Sequence, residues 1–281
     1  MKKILVSVAL LATTVFSQTF TFTAIPDQDE TKLKERFSKL ATYLSKELNV
    51  DVKFVPVKSY AASIAAFRNN QVQLAWFGGL SGVKARLLVK DSQAIAQGVE
   101  DPNFHSYIIA HKSTGLEKSD NLSKDIAGKT FTFGSKGSTS GRLMPEYFIR
   151  ETFNKAPKDV FKKVGFSGNH SKTISLVQNG AYEVGAVNFK VWDRELKAGN
   201  IDTSKVKVIY KTPAYPDYNF TIRADVDKNY GAGFTKKVQD ALIKLEDKTI
   251  LSAFPRASFI KAENKDFEPV LKTARQIGLI D

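Results

Sequence analysis

The chain has 281 residues, 42% of them hydrophobic and 25% charged, a balance that fits a globular protein and excludes a disordered one. It contains no cysteine, which rules out disulfides, thiolate metal sites, a cysteine nucleophile and a lipid-bearing cysteine. Its formal charge of +13 is spread along the chain in nothing denser than doublets such as Lys162-Lys163 and Lys236-Lys237. That scatter argues against a nucleic-acid stripe, and leaves a solvated basic surface or a diffuse field that gathers small anions.

The first elements in chain order are the basic pair Lys2-Lys3 and the mostly apolar run Ile4 to Phe16, which read as a secretory signal peptide over residues 1–17, cut near Ser17/Gln18. Without a cysteine to carry lipid, the mature protein is expected free in the periplasm. The remainder is long enough for two lobes with separate cores. Phe20 to Ala24 reads as a strand. Leu33, Phe37, Leu40, Leu44 and Leu48 then recur at helical spacing over Glu30 to Leu48 and mark one buried face. Strands at Val52 to Val57, Leu74 to Phe77 and Ala94 to Val99 alternate with helices near Ser59 to Asn69 and Ser81 to Val89. After Ser106 to His111 a polar stretch, Lys112 to Lys129, leads into a second unit. There strands at Thr130 to Phe133, Val164 to Phe166 and Val184 to Val187 alternate with helices starting near Gly141, Ser171 and Phe189. A strand at Val206 to Tyr210 precedes Pro213 to Asp217, which suits a second crossover. The helical runs Phe234 to Leu251 and Phe267 to Ile277 have no strands of their own and are expected to pack back on the first lobe. The implied organisation is a signal peptide (1–17), a first lobe (18–111 plus 219–281) and a second lobe (112–218), with a cleft between them suited to hinge closure around a ligand.

The segment Gly134-Ser135-Lys136-Gly137-Ser138-Thr139-Ser140-Gly141 joins a strand to a helix and reads as an anion cradle, because glycines free the backbone N–H groups and hydroxyls stand at a helix start. The same residues also suit an ordinary helix N-cap. Pro145 keeps regular helix from extending far before Gly141. No Gly-Lys-Ser/Thr follows the glycines, so this is not a Walker A loop. Asp27 and Asp29 precede a helix and read as caps rather than ligands.

Several segments together carry a family resemblance: Pro56-Val57-Lys58-Ser59-Tyr60-Ala61, Phe67 through Gly78, Ser138-Thr139-Ser140-Gly141 with Pro145, Ser167-Gly168-Asn169-His170 and Gly185-Ala186-Val187-Asn188. In order along nearly the whole mature chain, these resemble periplasmic solute-binding proteins of phosphate/phosphite/phosphonate ABC transporters. The resemblance implies an α/β, type II periplasmic-binding fold with two lobes, two crossovers and the ligand in the cleft. It also implies capture of a tetrahedral oxyanion for delivery to an inner-membrane permease and its ATPase. Ser138, Thr139 and Ser140 match the oxyanion-holding turn, Tyr60 a phenol donor and His170 a cleft histidine. Gln28 is expected to reach across on closure. No cofactor, metal or nucleic acid is implied, and a monomer is expected.

At three places the chain departs from the pattern of phosphonate binders. Tyr218 falls where a carboxylate accepts the ligand's proton, Lys190 falls where aminophosphonate binders carry an acid, and Phe104 replaces a second tyrosine. A pocket of donors suits selenate or sulfate, which carry no proton, and the stretches Ile25 to Glu30 and Trp76 to Gly82 resemble a selenate-binding branch. Selenate is therefore the expected ligand, with phosphonate, phosphate or phosphite as the alternative. A one-residue shift would put Asp217 in the carboxylate's place and restore that alternative. A hydrolase using Ser138 and His170 is the remote rival, as is a periplasmic sensor subunit.

Overall fold

The computed structural model describes residues 18–281; the signal-peptide reading concerns residues 1–17, outside that range. The chain begins with β1 (Phe20–Ala24), α1 (Glu30–Leu48), β2 (Val52–Phe54), α2 (Tyr60–Arg68), β3 (Leu74–Phe77), α3 (Gly79–Leu88) and β4 (Gln93–Gly98). It crosses to β5 (Ser106–His111), β6 (Thr130–Phe133), α4 (Met144–Phe153), α5 (Pro157–Val160), β7 (Lys163–Phe166), α6 (His170–Gln178), β8 (Val184–Asn188), α7 (Phe189–Lys197) and β9 (Val206–Lys211). It returns as β10 (Asn219–Ile222), α8 (Val226–Tyr230), α9 (Phe234–Ile243), α10 (Lys248–Ala253), β11 (Phe259–Lys261) and α11 (Glu268–Gln276).

These strands form two sheets, ordered β11-β4-β10-β3-β1-β2 and β7-β6-β8-β5-β9. Strands β1, β2 and β3 run parallel, as do β6, β7 and β8, so the carboxyl ends of each set point the same way and present their following loops at one edge. The first lobe is held by a core that includes Phe20, Phe22, Phe37, Trp76, Phe77 and Phe220, with all five apolar residues of the α1 stripe buried in it. The second sheet carries a core on each face, one around Phe131, Phe133 and Ile149 and the other around Ile109, Val177, Val187 and Trp192. Two residues of α4's approach, Leu143 and Met144, belong instead to the first lobe's core, so the lobes pack directly on each other.

Three sequence expectations change. Ser106–His111, read as the end of the first lobe, pairs antiparallel with β8 and β9 in the second sheet. The crossover falls earlier, through the single turn Asp101–Asn103 that carries Pro102; apolar alternation marks a strand but not the sheet that receives it. The run Phe234 to Leu251 breaks into α9 and α10, because Asp247 accepts from the N–H groups of Thr249 and Ile250 and starts a new helix. The last segment does contribute a strand, β11, which pairs with β4.

The two crossovers are laced together. Phe104 and Tyr215 exchange backbone hydrogen bonds of 2.9 and 3.0 Å, and the Asp217 N–H donates to the Asp101 carbonyl at 3.0 Å. Beneath them Arg256 donates to both oxygens of the fully buried Asp101, at 2.6 to 2.9 Å. The guanidinium also lies 5.2 to 6.0 Å from the ring centres of Tyr218, Phe104 and Trp76. Removing one member of a buried pair strands the other's charge. Arg256→Ala is therefore expected to lower unfolding free energy by about 3–5 kcal/mol in urea titrations. A loss under about 1 kcal/mol, typical of exposed pairs, would show that solvent screens this one.

Candidate ligand-binding site

The second lobe's contribution begins where β6 ends. Ser138 caps the turn, its Oγ accepting from the Gly141 N–H at 2.9 Å. The Leu143 N–H reaches back five residues to the Ser138 carbonyl, so Thr139–Leu143 form a wide, π-type turn before α4 begins at Met144. Pro145 has no N–H to offer the Gly141 carbonyl, and that carbonyl accepts from the Gly134 N–H at 2.8 Å instead. Gly141 is required here, since a Cβ would sit 2.9 Å from Ser138 Oγ and 3.1 Å from the His170 ring. The cap reading thus applies. Ser138 closes the turn, and Thr139 Oγ1 accepts from the Leu80 N–H of the first lobe at 2.9 Å. The Ser140 hydroxyl is buried without a hydrogen-bond partner among the described residues. A hydroxyl that accepts from an amide still has its own hydrogen to donate.

His170 is the first residue of α6 and is fully buried. Its Nδ1 accepts from the Asn188 N–H at 3.2 Å, which puts the ring proton on Nε2, a buried donor with no partner among the described residues. Burial drives its pKa down to about 4 against the opposing charge of Asp27, so the ring is neutral at working pH. From the first lobe comes Tyr60, whose hydroxyl is likewise buried and unpartnered. Burial and then the charges of Asp27 and Asp217 hold its pKa well above 10, so it too is a donor.

The acceptor is Asp217. Because β10 runs antiparallel to β3 with Asn219 opposite Phe77, the residues just before β10 lie at the edge where β3 ends. Asp217 Oδ1 there accepts from the Gly79 N–H at 2.8 Å, while Oδ2 is buried without a partner among the described residues. Burial raises its pKa to about 7, with Gly79, Thr139 and Ser140 pulling the other way. Successive strand residues face opposite ways. Tyr218 accordingly turns from the carboxylate's place, stacks on Trp76 with ring centres 5.3 Å apart, donates to Asp27 Oδ2 at 3.1 Å and accepts from Asn188 Nδ2 at 2.8 Å. The placement of Tyr218 as the residue replacing the carboxylate is thereby corrected in favour of Asp217.

Lys190 is also corrected. It pairs with Glu100 at 3.1 Å across the crossover and lends no cation to this cluster. Gln28 is buried, but its Oε1 accepts from Arg36 Nη2, and with Asp27, Arg36, Tyr218 and Arg256 it lines a separate cavity of about 10 Å³, room for one water. Asp29 is the cap expected, accepting from the Thr31 N–H. Asp27 is not a cap. It is buried, lies 3.7 Å from Arg36, and its Oδ1 has no hydrogen-bond partner among the described residues. Phe104 packs against Tyr218 and Phe189 and serves as a support for the tyrosine. Arg36, a cation on the otherwise apolar stripe of α1, and Asn188 were missed as site-forming residues. The arginine's position on that stripe was the available signal.

The outcome is a set of buried donors from both lobes, Tyr60, Ser140 and His170, with no partners among the described residues, and one acceptor in the same condition, Asp217, which lies near Thr139 and Ser140. Ser138 Oγ accepts from Gly141, and among the described residues it makes no hydrogen bond with His170, so the pair is not set up as nucleophile and base. Two mixed sheets, paired crossovers and a polar site at the ends of the parallel strands define a type II periplasmic-binding protein. The sequence profile described as "ABC transporter, phosphonate, periplasmic substrate-binding protein" matches residues 22–267. The chain is 40% identical, over 92% of its length and 89% of the relative's, to the probable ABC transporter phosphite binding protein PhnD1 of Prochlorococcus marinus (strain MIT 9301). It is 26% identical, over 90% of its length and 75% of the relative's, to the phosphonates-binding periplasmic protein of Escherichia coli (strain K12). The structure of P. marinus PhnD1 in complex with methylphosphonate superposes with a TM-score of 0.89 at 39% identity, covering 93% of this chain and 99% of that one. The chain belongs to the phosphonate-binding family of periplasmic ABC-transporter proteins, and is a solute-binding protein rather than an enzyme. Among the described residues no helix is long and apolar enough to cross a membrane.

A neutral, Nε2-protonated His170 has a direct signature. Its ring nitrogens in two-dimensional NMR are expected to hold the Nε2–H pattern without titrating between about pH 5.5 and 8, a span above its depressed pKa. Titration within that span would remove it as a neutral donor.

Proposed function

We propose that this protein captures phosphite or a small phosphonate and delivers it to its permease. The observation that carries this reading is the buried Asp217, whose second oxygen is unpartnered and whose pKa is raised to about 7. Phosphite and phosphonates keep a proton near neutral pH, and a carboxylate can accept a hydrogen bond from that P–OH while Tyr60, Ser140 and His170 donate to the remaining oxygens. Selenate and sulfate have no proton to give, and their two charges would face an anion in a site closed to water. The alternative ligand class of the sequence reading is thus the better one, and the complex holds one proton between Asp217 and the ligand. PhnD1, similar over nearly its whole length, is described as binding phosphite and is solved with methylphosphonate. Ser138, Thr139, Ser140, Tyr60, His170 and Asp217 are assigned to the ligand, with Asp27, Asn188 and Tyr218 behind them.

Calorimetric titration of the ligand-free protein with phosphite, methylphosphonate, phosphate, sulfate and selenate tests the assignment. One-to-one binding is expected for the first two, with sulfate and selenate at least about a hundredfold weaker, the scale on which an unpaired buried polar site rejects a wrong partner. Selenate binding as tight as phosphite would overturn it.

Sharing a proton fixes the sign of the pH dependence. Below about pH 7 Asp217 or the ligand supplies that proton. Above it both lose it, so Kd is expected to rise with pH, approaching about tenfold per unit once both are ionised. Asp217→Asn is expected to flatten this slope and to narrow the gap between selenate and phosphite; an unchanged slope would place the proton elsewhere. Tyr60→Phe, which removes one donor to a charged ligand, is expected to cost about 1.5–3 kcal/mol of binding free energy at pH 7, and an unchanged Kd would dismiss its role.

A further inference from the structure

Two surface features meet at the seam between the lobes, and neither serves the oxyanion. The first is an apolar groove of about 540 Å³ on the first lobe, formed by α2, α3 and the residues after α11, with Ile64, Leu87, Leu88 and Leu279 in its lining. Leu87 and Leu88 are each 53% exposed, high for adjacent leucines on a helix. Lys84, Arg275 and Asp281 edge the groove, Arg275 Nε donating to the Asp281 carbonyl. The second feature lies across the seam, where Lys136 and Arg142 flank Phe166 at 5.3 and 5.1 Å from its ring centre. That ring is 40% exposed. Lys84 joins the two, since it lines the groove and also feels Arg142 of the second lobe, whose charge adds to burial in lowering the lysine's pKa.

The contact between the lobes sets α3 against the turn that carries Arg142, as the bond from Leu80 to Thr139 shows. It therefore brings cations of opposite lobes together beside exposed leucines. Arg142 has Glu146 as partner at 3.2 Å, whereas Lys84 makes no salt bridge among the described residues. Like charges across a seam oppose closure by themselves, and a partner that supplies carboxylates there reverses the sign. An apolar centre with a charged rim is the usual composition of a protein docking site.

We propose that this surface docks an acidic periplasmic segment of the permease, whose apolar side chain enters the Leu87–Leu88 groove while its carboxylates lie between Lys84 and Arg142, and that it does so in the closed form. Lys84 belongs to neither the oxyanion cluster nor its supports, so the ligand site is left intact by its substitution. Recognition of closure is built in, because the cationic half of the surface is divided between lobes.

The test compares wild type, Lys84→Glu, Leu88→Asp and Lys84→Arg in two assays. Calorimetry with phosphite reads the ligand site; binding to the transporter's permease–ATPase complex in nanodiscs, with and without phosphite, reads docking. Lys84→Glu turns repulsion of Arg142 into attraction, so its phosphite Kd is expected to stay equal or fall. Its affinity for the permease complex, and that of Leu88→Asp, is expected to drop about tenfold or more, as at a docking hot spot, while Lys84→Arg retains it. Raising salt is expected to weaken docking of wild type more than that of Lys84→Glu. Unchanged docking by Lys84→Glu and Leu88→Asp, or docking equal for open and closed forms, would overturn the proposal. Failure of wild type to bind phosphite or methylphosphonate would overturn the ligand assignment alone; open and closed forms are then compared with whichever oxyanion calorimetry shows to bind, and the variants are still read against wild type in the nanodisc assay.

Discussion

The antiparallel pairing of β10 with β3 sets Asn219 opposite Phe77, and from that register follows which of two neighbouring residues faces the Ser-Thr-Ser turn. A strand entering at the edge where the parallel strands end delivers its preceding residues, rather than its following ones, to the cleft. Side chains alternate, so Asp217 faces Gly79 and the Ser-Thr-Ser turn while Tyr218 faces Trp76 and Asn188. The buried pair of Arg256 and Asp101 holds the crossover in that position, because the Asp101 carbonyl anchors the Asp217 N–H. The position of the Asp217 carboxylate thus rests on an ion pair whose side chains lie behind it, joined to it through the Asp101 carbonyl.

The closed arrangement concentrates polar atoms that the protein does not satisfy internally: Tyr60 OH, Ser140 Oγ, His170 Nε2 and Asp217 Oδ2. Each buried group of this kind costs about 1–3 kcal/mol when it has no partner. A ligand that satisfies all of them therefore stabilises the closed form over the open one by several kcal/mol, and a ligand that satisfies only the donors leaves the carboxylate unanswered. Differential affinity for two conformations is what couples binding to closure. The neutrality of His170 matters to the same balance, since an imidazolium would bind any anion by charge, whereas a fixed N–H rewards one geometry.

Much of this was legible in the sequence, but unevenly. Helical spacing of leucines on α1, the glycine-flanked hydroxyls at 138–140 and the order of short apolar runs pointed to two α/β lobes and a capped turn before α4, because these depend on local chemistry. The lobe that receives Ser106–His111 and the existence of β11 were not legible, since strand pairing is a long-range choice that a six-residue or three-residue apolar run does not encode. The choice between Asp217 and Tyr218 failed for a related reason: a slip of one residue inverts every side chain of a strand, and no local signal distinguished the two. Lys190 looked like a pocket cation because its partner, Glu100, lies 90 residues away. Arg36 was the opposite case, a charge on an apolar stripe whose meaning was visible only once Asp27 and Gln28 were found beside it.

The same helices that build the cleft also build the seam surface. α2 begins with Tyr60 turned inward and carries Ala61 and Ile64 toward the groove; α3 begins with amides bonded to Asp217 and Thr139 and ends with Leu87 and Leu88 exposed. A helix is stiff over such short lengths, so the bond between the lobes at one end and the surface at the other move as one body. Contact between the lobes brings Arg142 near Lys84. On the docking proposed above, a partner that reads this pair would sense the contact of the lobes without touching the oxyanion, which is the property a transporter needs if it is to respond to loaded protein.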